Sequence, residues 1–133
     1  MLTKGQHMLK LTGGFSGFSV QSSADAREFY EKILGLEVVK HGYGTFIHLP
    51  DGTRIFFYPK GPAHQPATYT ILNLTVDDID EAVDELERRG VVFEHYAHTD
   101  SKGVQRGIAS GKGPDQAWFQ DPSGNIISIL KEE

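Results

Sequence analysis

The chain contains no cysteine. Disulfides, thiolate nucleophiles and cysteine-based zinc sites are excluded outright. It also lacks a basic surplus: 13 Lys and Arg stand against 18 Asp and Glu, a net charge of -5. A duplex nucleic-acid groove needs a clustered positive face, so neither nucleic acid nor its backbone is an expected partner. No apolar run approaches the ~20 residues that cross a bilayer, which argues against a membrane span. Residues 1–14 lack the continuous apolar centre of an export signal, and a cytoplasmic location is the default expectation. Gly111-Lys112-Gly113 echoes a phosphate-binding loop, but the spacing is wrong, no Ser or Thr follows the lysine, and strand–helix flanks are missing. No Ser/His/Asp trio sits in a context that would expose and activate a nucleophile. No motif calls for a cofactor.

What is present is ordinary in composition and repeated in plan. With 133 residues, 38% apolar and 23% charged, the chain is one globular domain's worth of protein. Residues 20–35 and 76–90 each run from a strand end into an amphipathic helix stopped by glycine. Ser22 or Ser23 with Asp25, and Asp78 with Glu81, have the spacing of helix caps. Ala26, Phe29, Tyr30, Ile33 and Leu34 form one apolar stripe; Ile79, Ala82, Val83 and Leu86 form another. Each helix is followed by β-rich runs (36–40, 45–49 and 54–58; then 91–96, 117–120 and 126–130) and by a tight turn, Pro50-Asp51-Gly52-Thr53 or Asp121-Pro122-Ser123-Gly124-Asn125. Strands at 15–20 and 70–76 open the two units. Three prolines in 59–66 mark the linker, placed at 61–68 between module one (about 15–60) and module two (about 69–131). The turn glycines Gly52 and Gly124 lie farther apart than the helix-ending Gly35 and Gly90, and the surplus falls in residues 97–116. A segment of that length and glycine content reads either as a flap over the groove between the units or as a plain mobile loop.

Phe29-Tyr30 with Leu34-Gly35-Leu36, Val76-Asp77-Asp78 leading to Arg89-Gly90, and the run from Ala117-Trp118-Phe119 through Asp121-Pro122-Ser123-Gly124-Asn125-Ile126 resemble the vicinal oxygen chelate superfamily. That superfamily groups glyoxalase I, extradiol dioxygenases, and fosfomycin- and bleomycin-resistance proteins. The resemblance covers residues 15–130. It implies an α+β fold of two tandem βαβββ modules forming curved mixed sheets around a cavity, commonly in a homodimer. In metal-dependent members, four inward positions carry His, Glu or similar ligands. The matching positions here are Phe15, Phe56, Ile71 and Ser128. Two aromatics, an isoleucine and a hydroxyl cannot supply the converging donors that a divalent ion needs. The expectation is no metal and no cofactor.

Period-two alternation brings Tyr58 and Asn73 to the same side as those positions, and hairpin pairing sets Trp118 beside Ser128, and Phe46 and His48 beside Phe56. The expected ligand-binding set is Phe15, Phe46, His48, Phe56, Tyr58, Ile71, Asn73, Trp118 and Ser128. Apolar walls with sparse polar groups suit a small molecule, although the same aromatics would equally serve as core. The acidic balance is compatible with a cationic ligand. His48 is the candidate acid/base, since an ordinary imidazole titrates near neutrality. The function expected is metal-free small-molecule binding, by sequestration or with a cofactor-free reaction. The rivals are a glyoxalase-like lyase or dioxygenase-like enzyme with a displaced metal site drawn from His48, His64, His95 or His98, and a packed groove in a module that acts only through association.

Overall fold

The computed structural model describes residues 8–133, so His7 and the start of the lead-in lie outside it. Residues 8–15 form neither helix nor strand and expose Met8, Leu9 and Leu11. The first repeat comprises β1 (Ser16–Val20), α1 (Ser23–Glu28), β2 (Glu37–His41), β3 (Gly44–His48) and β4 (Arg54–Pro59). The second comprises β5 (Thr70–Thr75), α2 (Ile79–Arg88), β6 (Val104–Arg106), the single-turn α3 (Gly107–Ser110), β7 (Asp115–Gln120) and β8 (Ile126–Lys131). Two four-stranded mixed sheets result, ordered β1-β4-β3-β2 and β5-β8-β7-β6. In each, the opening strand runs parallel to the closing one and the other pairs are antiparallel.

The caps act as their sequence suggests. Ser22 Oγ accepts from the Asp25 amide at 3.3 Å, and Asp78 Oδ1 from the Glu81 amide at 3.0 Å. Gly35 and Gly90 take the left-handed conformation just past their helices (φ 71° and 92°). The first helix is not uniform: residues Phe29–Ile33 form a π turn, with the Leu34 amide donating to the Phe29 carbonyl. That wider turn leaves Tyr30 fully buried while Phe29 reaches across to Phe119 of β7, 6.2 Å between centroids.

Three expectations are corrected. The sheets do not curve around a cavity: neither is strongly curled or closed. Closure requires hydrogen bonds between the outermost strands, and β1 and β5 bond only to β4 and β8. Residues 91–96 form no strand; the only ladder partner of β7 on that side is β6, while Glu94 contributes a lone amide bond to the Trp118 carbonyl at 2.8 Å. Nor do residues 97–116 hang as a flap. Arg106 grips Asp80 of α2 with both Nη atoms (2.9 and 2.7 Å), Lys102 bridges Asp80 and Asp84 at 3.0 Å each, and Asp100 holds Arg106 Nε at 2.9 Å. The donated hydrogen bonds hold the Asp80 carboxyl well below the usual carboxylate range.

One core joins the repeats. Phe18, Tyr30 and Phe57 from the first meet Val83, Phe119 and Ile127 from the second in a single cluster. At its polar centre lies Asp121. Its Oδ2 accepts from Tyr30 Oη at 2.7 Å and from Asn125 Nδ2 at 3.1 Å; its Oδ1 accepts from the Ser123 and Asn125 amides at 2.8 and 2.9 Å. Asn125 Nδ2 also donates to the Ser19 carbonyl, and the Gln21 amide donates to Ser123 Oγ. Asp121→Ala strands four donors in the interior and should destabilise by about 4 kcal/mol, against about 1–2 kcal/mol for Tyr30→Phe. Urea-denaturation midpoints would rank them. Burial, then the Asp121 charge, raise the Tyr30 phenol well above its ordinary value. The folded chain therefore keeps a proton that the unfolded chain loses above about pH 10. Stability supplied by Tyr30 is complete below that pH and declines above it, and Tyr30→Phe should flatten this alkaline limb.

Candidate functional site

Alternation along β1 to β4 sends Phe18, Val20, Ile47, Ile55 and Phe57 inward and leaves the opposite face without a helix over it. That outer face is aromatic. Phe46 and Phe56 are paired across β3 and β4, 5.3 Å between centroids; Phe15 meets them at 5.1 and 6.2 Å, edge-on. Tyr58 stacks on Phe56 at 5.5 Å, and Tyr43, from the β2–β3 turn, closes the group at 5.7 Å from Phe56. Gly17 and Gly44 make this layer possible. A Cβ at Gly17 would sit 3.3–3.4 Å from Phe56, and one at Gly44 would collide with the edge of the Phe56 ring at Cε1. Phe46 is 2% exposed although only its neighbours cover it, while Tyr43 is 76% exposed.

A charged row borders the aromatic layer. Glu37, His48 and Arg54 face one another in turn across β2, β3 and β4. His48 Nδ1 lies 3.1 Å from Glu37 Oε1. The Arg54 guanidinium lies 5.2 Å from the centroids of both Phe15 and Phe46.

The equivalent face of the second sheet is polar and satisfied. Asn73, Ser128 and Trp118 stand in one row across β5, β8 and β7. Ser128 Oγ donates to Asn73 Oδ1 at 2.6 Å and accepts from Gln116 Nε2 at 3.0 Å, so the wholly buried hydroxyl has partners on both counts. Trp118 packs edge-on against Tyr96 at 5.5 Å. The nine expected ligand-binding residues thus divide: Phe15, Phe46, His48, Phe56 and Tyr58 share the first face, and Ile71, Asn73, Trp118 and Ser128 belong to the second sheet. His48 faces Arg54 rather than Phe56, because the β3–β4 register sets Phe46 opposite Phe56. A cleft of about 1290 Å³ opens between the edges of β1 and β5, and Phe15, Arg54, Ile71 and Asn73 all border it. Arg54, Tyr43 and Gly44 escaped the sequence reading, whereas alternation places Gly17 on this side. Counting back two residues from Phe56 puts Arg54 on the same face, which is the signal that was available.

Among the described residues the remaining histidines do not assemble. His64 Nε2 lies 3.0 Å from the Ser123 carbonyl, which can only accept, so the proton is on Nε2, and Nδ1 accepts from Ser19 Oγ at 2.8 Å. Both ring nitrogens are consumed in tying the linker to the two repeats. Among the described residues, no group of three or more His, Cys, Asp or Glu could hold a metal ion, and no helix is long and apolar enough to cross a membrane.

The family model of the Glyoxalase/Bleomycin resistance protein/Dioxygenase superfamily matches residues 14–129. The chain belongs to that superfamily. Solved structures agree on the fold. TnmS3, an antibiotic binding protein from a Streptomyces species, is 24% identical with a TM-score of 0.64, covering 96% of this chain and 100% of that one. A glyoxalase/dioxygenase from Nostoc punctiforme is 18% identical (TM-score 0.64; 96% and 99% covered). An integron cassette protein of V. cholerae is 20% identical (TM-score 0.63; 95% and 100% covered). No curated protein matches. Among the described residues this member of the superfamily keeps no metal-binding cluster: of the four positions that match the metal ligands, Phe15 packs against Phe56 of the first sheet, and Ile71 and Ser128 lie on the second.

Gly44→Ala tests the aromatic layer. The added methyl must expel the Phe56 ring, an overpacking change of about 1–3 kcal/mol. A lowered urea midpoint, together with loss of near-ultraviolet aromatic dichroism, is the expected result.

Proposed function

We propose that this superfamily member binds a small, flat, partly apolar molecule on the aromatic face of its first sheet without a resident metal, and acts by sequestration. The observation that carries this reading is the layer of exposed Phe15, Tyr43 and Tyr58 around a half-buried Phe56 and a buried Phe46, which no other described residue covers, bordered at one end by the Glu37–His48–Arg54 row. Rings left partly in water gain by stacking on a flat partner. The description of TnmS3 as an antibiotic binding protein agrees with such a role. Ile71 and Asn73 reach the same cleft from the second sheet, and Trp118 with Ser128 forms the matching patch of the other repeat.

A homodimer is part of the reading. The free edges of β1 and β5 border one cleft, and the exposed Met8, Leu9 and Leu11 lie just ahead of β1. Open strand edges and contiguous apolar side chains favour association with another chain. Light scattering coupled to gel filtration should give twice the chain mass at micromolar concentration.

The Glu37–His48 pair supports a second reading, proton transfer to or from the bound molecule. A carboxylate on Nδ1 fixes the tautomer and leaves Nε2 as the base. A displaced metal site has no donor cluster to support it among the described residues.

Thermal-shift titration separates these readings. Planar aromatic compounds should raise the melting temperature in a saturable way, while Ni²⁺, Zn²⁺, Fe²⁺ and Mn²⁺ should leave it unchanged. Phe56→Ala should abolish the ligand response. Stoichiometric metal with a shift of several degrees would overturn the proposal. Turnover of a bound compound that His48→Ala removes without loss of fold would replace sequestration with catalysis.

A further inference from the structure

Four charged residues line the cleft beside the aromatic face: Asp51, Arg54, Glu85 and Arg89. Glu85 and Arg89 neutralise each other at 2.9 Å, and Arg89 Nη1 is also held by the Ile33 carbonyl. Asp51 is turned into its own hairpin, where its carboxylate accepts from the Thr53 amide at 3.0 Å. Next to Arg54 in its row, His48 is engaged with Glu37. Among the described residues, Arg54 alone of the four has neither an ion-pair partner nor a side-chain hydrogen bond. Its guanidinium instead lies beside the Phe15 and Phe46 rings, 5.2 Å from each centroid, where it lines the cleft. A guanidinium presents five donors in a planar fork matched to a carboxylate, and no described residue takes any of them.

Resting on the small-molecule reading above, we infer that the bound molecule is an anion, a planar aryl carboxylate, and that Arg54 selects it. The ring system lies over Phe15 and Phe56, and the carboxylate is paired by the Arg54 fork at the end of the layer. The guanidinium lies against Phe15 and Phe46, which in turn pack on Phe56, so a molecule with an aromatic body and a carboxylate one bond away meets both at once. The overall charge of -5 points the other way, towards a cation. That surplus is a property of the whole surface, however; beside the rings, Glu37 is occupied by His48 and Asp51 by the Thr53 amide, while the Arg54 guanidinium has no partner among the described residues. Long-range charge steers encounter, while the group in contact decides which ion stays.

Three probes share one ring system and differ only in charge: naphthalene-2-carboxylate, naphthalene-2-methanol and naphthalene-2-methylammonium. Calorimetric titration of the full chain should show the carboxylate binding about tenfold or more tighter than the alcohol, and the ammonium weakest. Arg54→Gln should bring the carboxylate-to-alcohol affinity ratio to about one. Arg54→Lys should retain only part of it, because an ammonium keeps the charge and lacks the fork. If all three probes bind alike, if the ammonium binds best, or if the preference survives in Arg54→Gln, the inference is overturned and small-molecule binding stands. If none of the three binds, both fail.

Discussion

The Asp121 carboxylate is the constraint on which the two-repeat architecture rests. It takes four hydrogen bonds in the interior, and one of them crosses from the second repeat's closing turn to Tyr30 in the first repeat's helix. Buried charge is tolerated when every lone pair is matched, and the turn at 121–125 is shaped to do this. Neighbouring groups extend the junction. Asn125 reaches the Ser19 carbonyl, Ser123 receives the Gln21 amide, and His64 of the linker bonds to both Ser19 and Ser123. The end of β1 is thereby locked to the β7–β8 turn, and the orientation of the first sheet follows from that lock.

Repetition supplies two sheets with the same strand order, but their outer faces have diverged in chemistry. Equivalent rows hold Gly17, Phe56 and Phe46 in one and Asn73, Ser128 and Trp118 in the other. In the second, a short hydrogen-bond chain satisfies the face from within. The first carries rings, which satisfy one another only partly, and Phe15, Tyr43 and Tyr58 stay exposed. This asymmetry explains why the functional reading falls on the first sheet although the fold treats both alike.

Much of this was legible in the residues. The caps at Ser22 and Asp78, the glycine stops and the turn chemistry are local, and local signals survive into the structure because nothing competes with them. Pairing of Phe46 with Phe56 and of Trp118 with Ser128 follows from turn length and alternation. Sheet closure was not legible, since it depends on whether two distant edges bond. The strand expected at 91–96 has the composition of one, yet β6 takes the ladder with β7, helped by the ion pairs that fasten 100–106 to α2. Those same ion pairs join residues far apart in the chain, so no local pattern announces them, and a glycine-rich stretch read as a loose cover is instead fastened to a helix. Arg54 was overlooked for a plainer reason: it sits at a turn boundary, where a side chain's face is settled only once the register is known.

Phe46 being dry before anything arrives has a consequence for selectivity. The layer has collapsed on itself, so an incoming guest neither has to organise it nor can slip beneath it. On the proposed reading, contact with the ring system is confined to a flat surface of modest area. A surface of that kind would separate related flat skeletons poorly, and discrimination would fall to the charged group beside it.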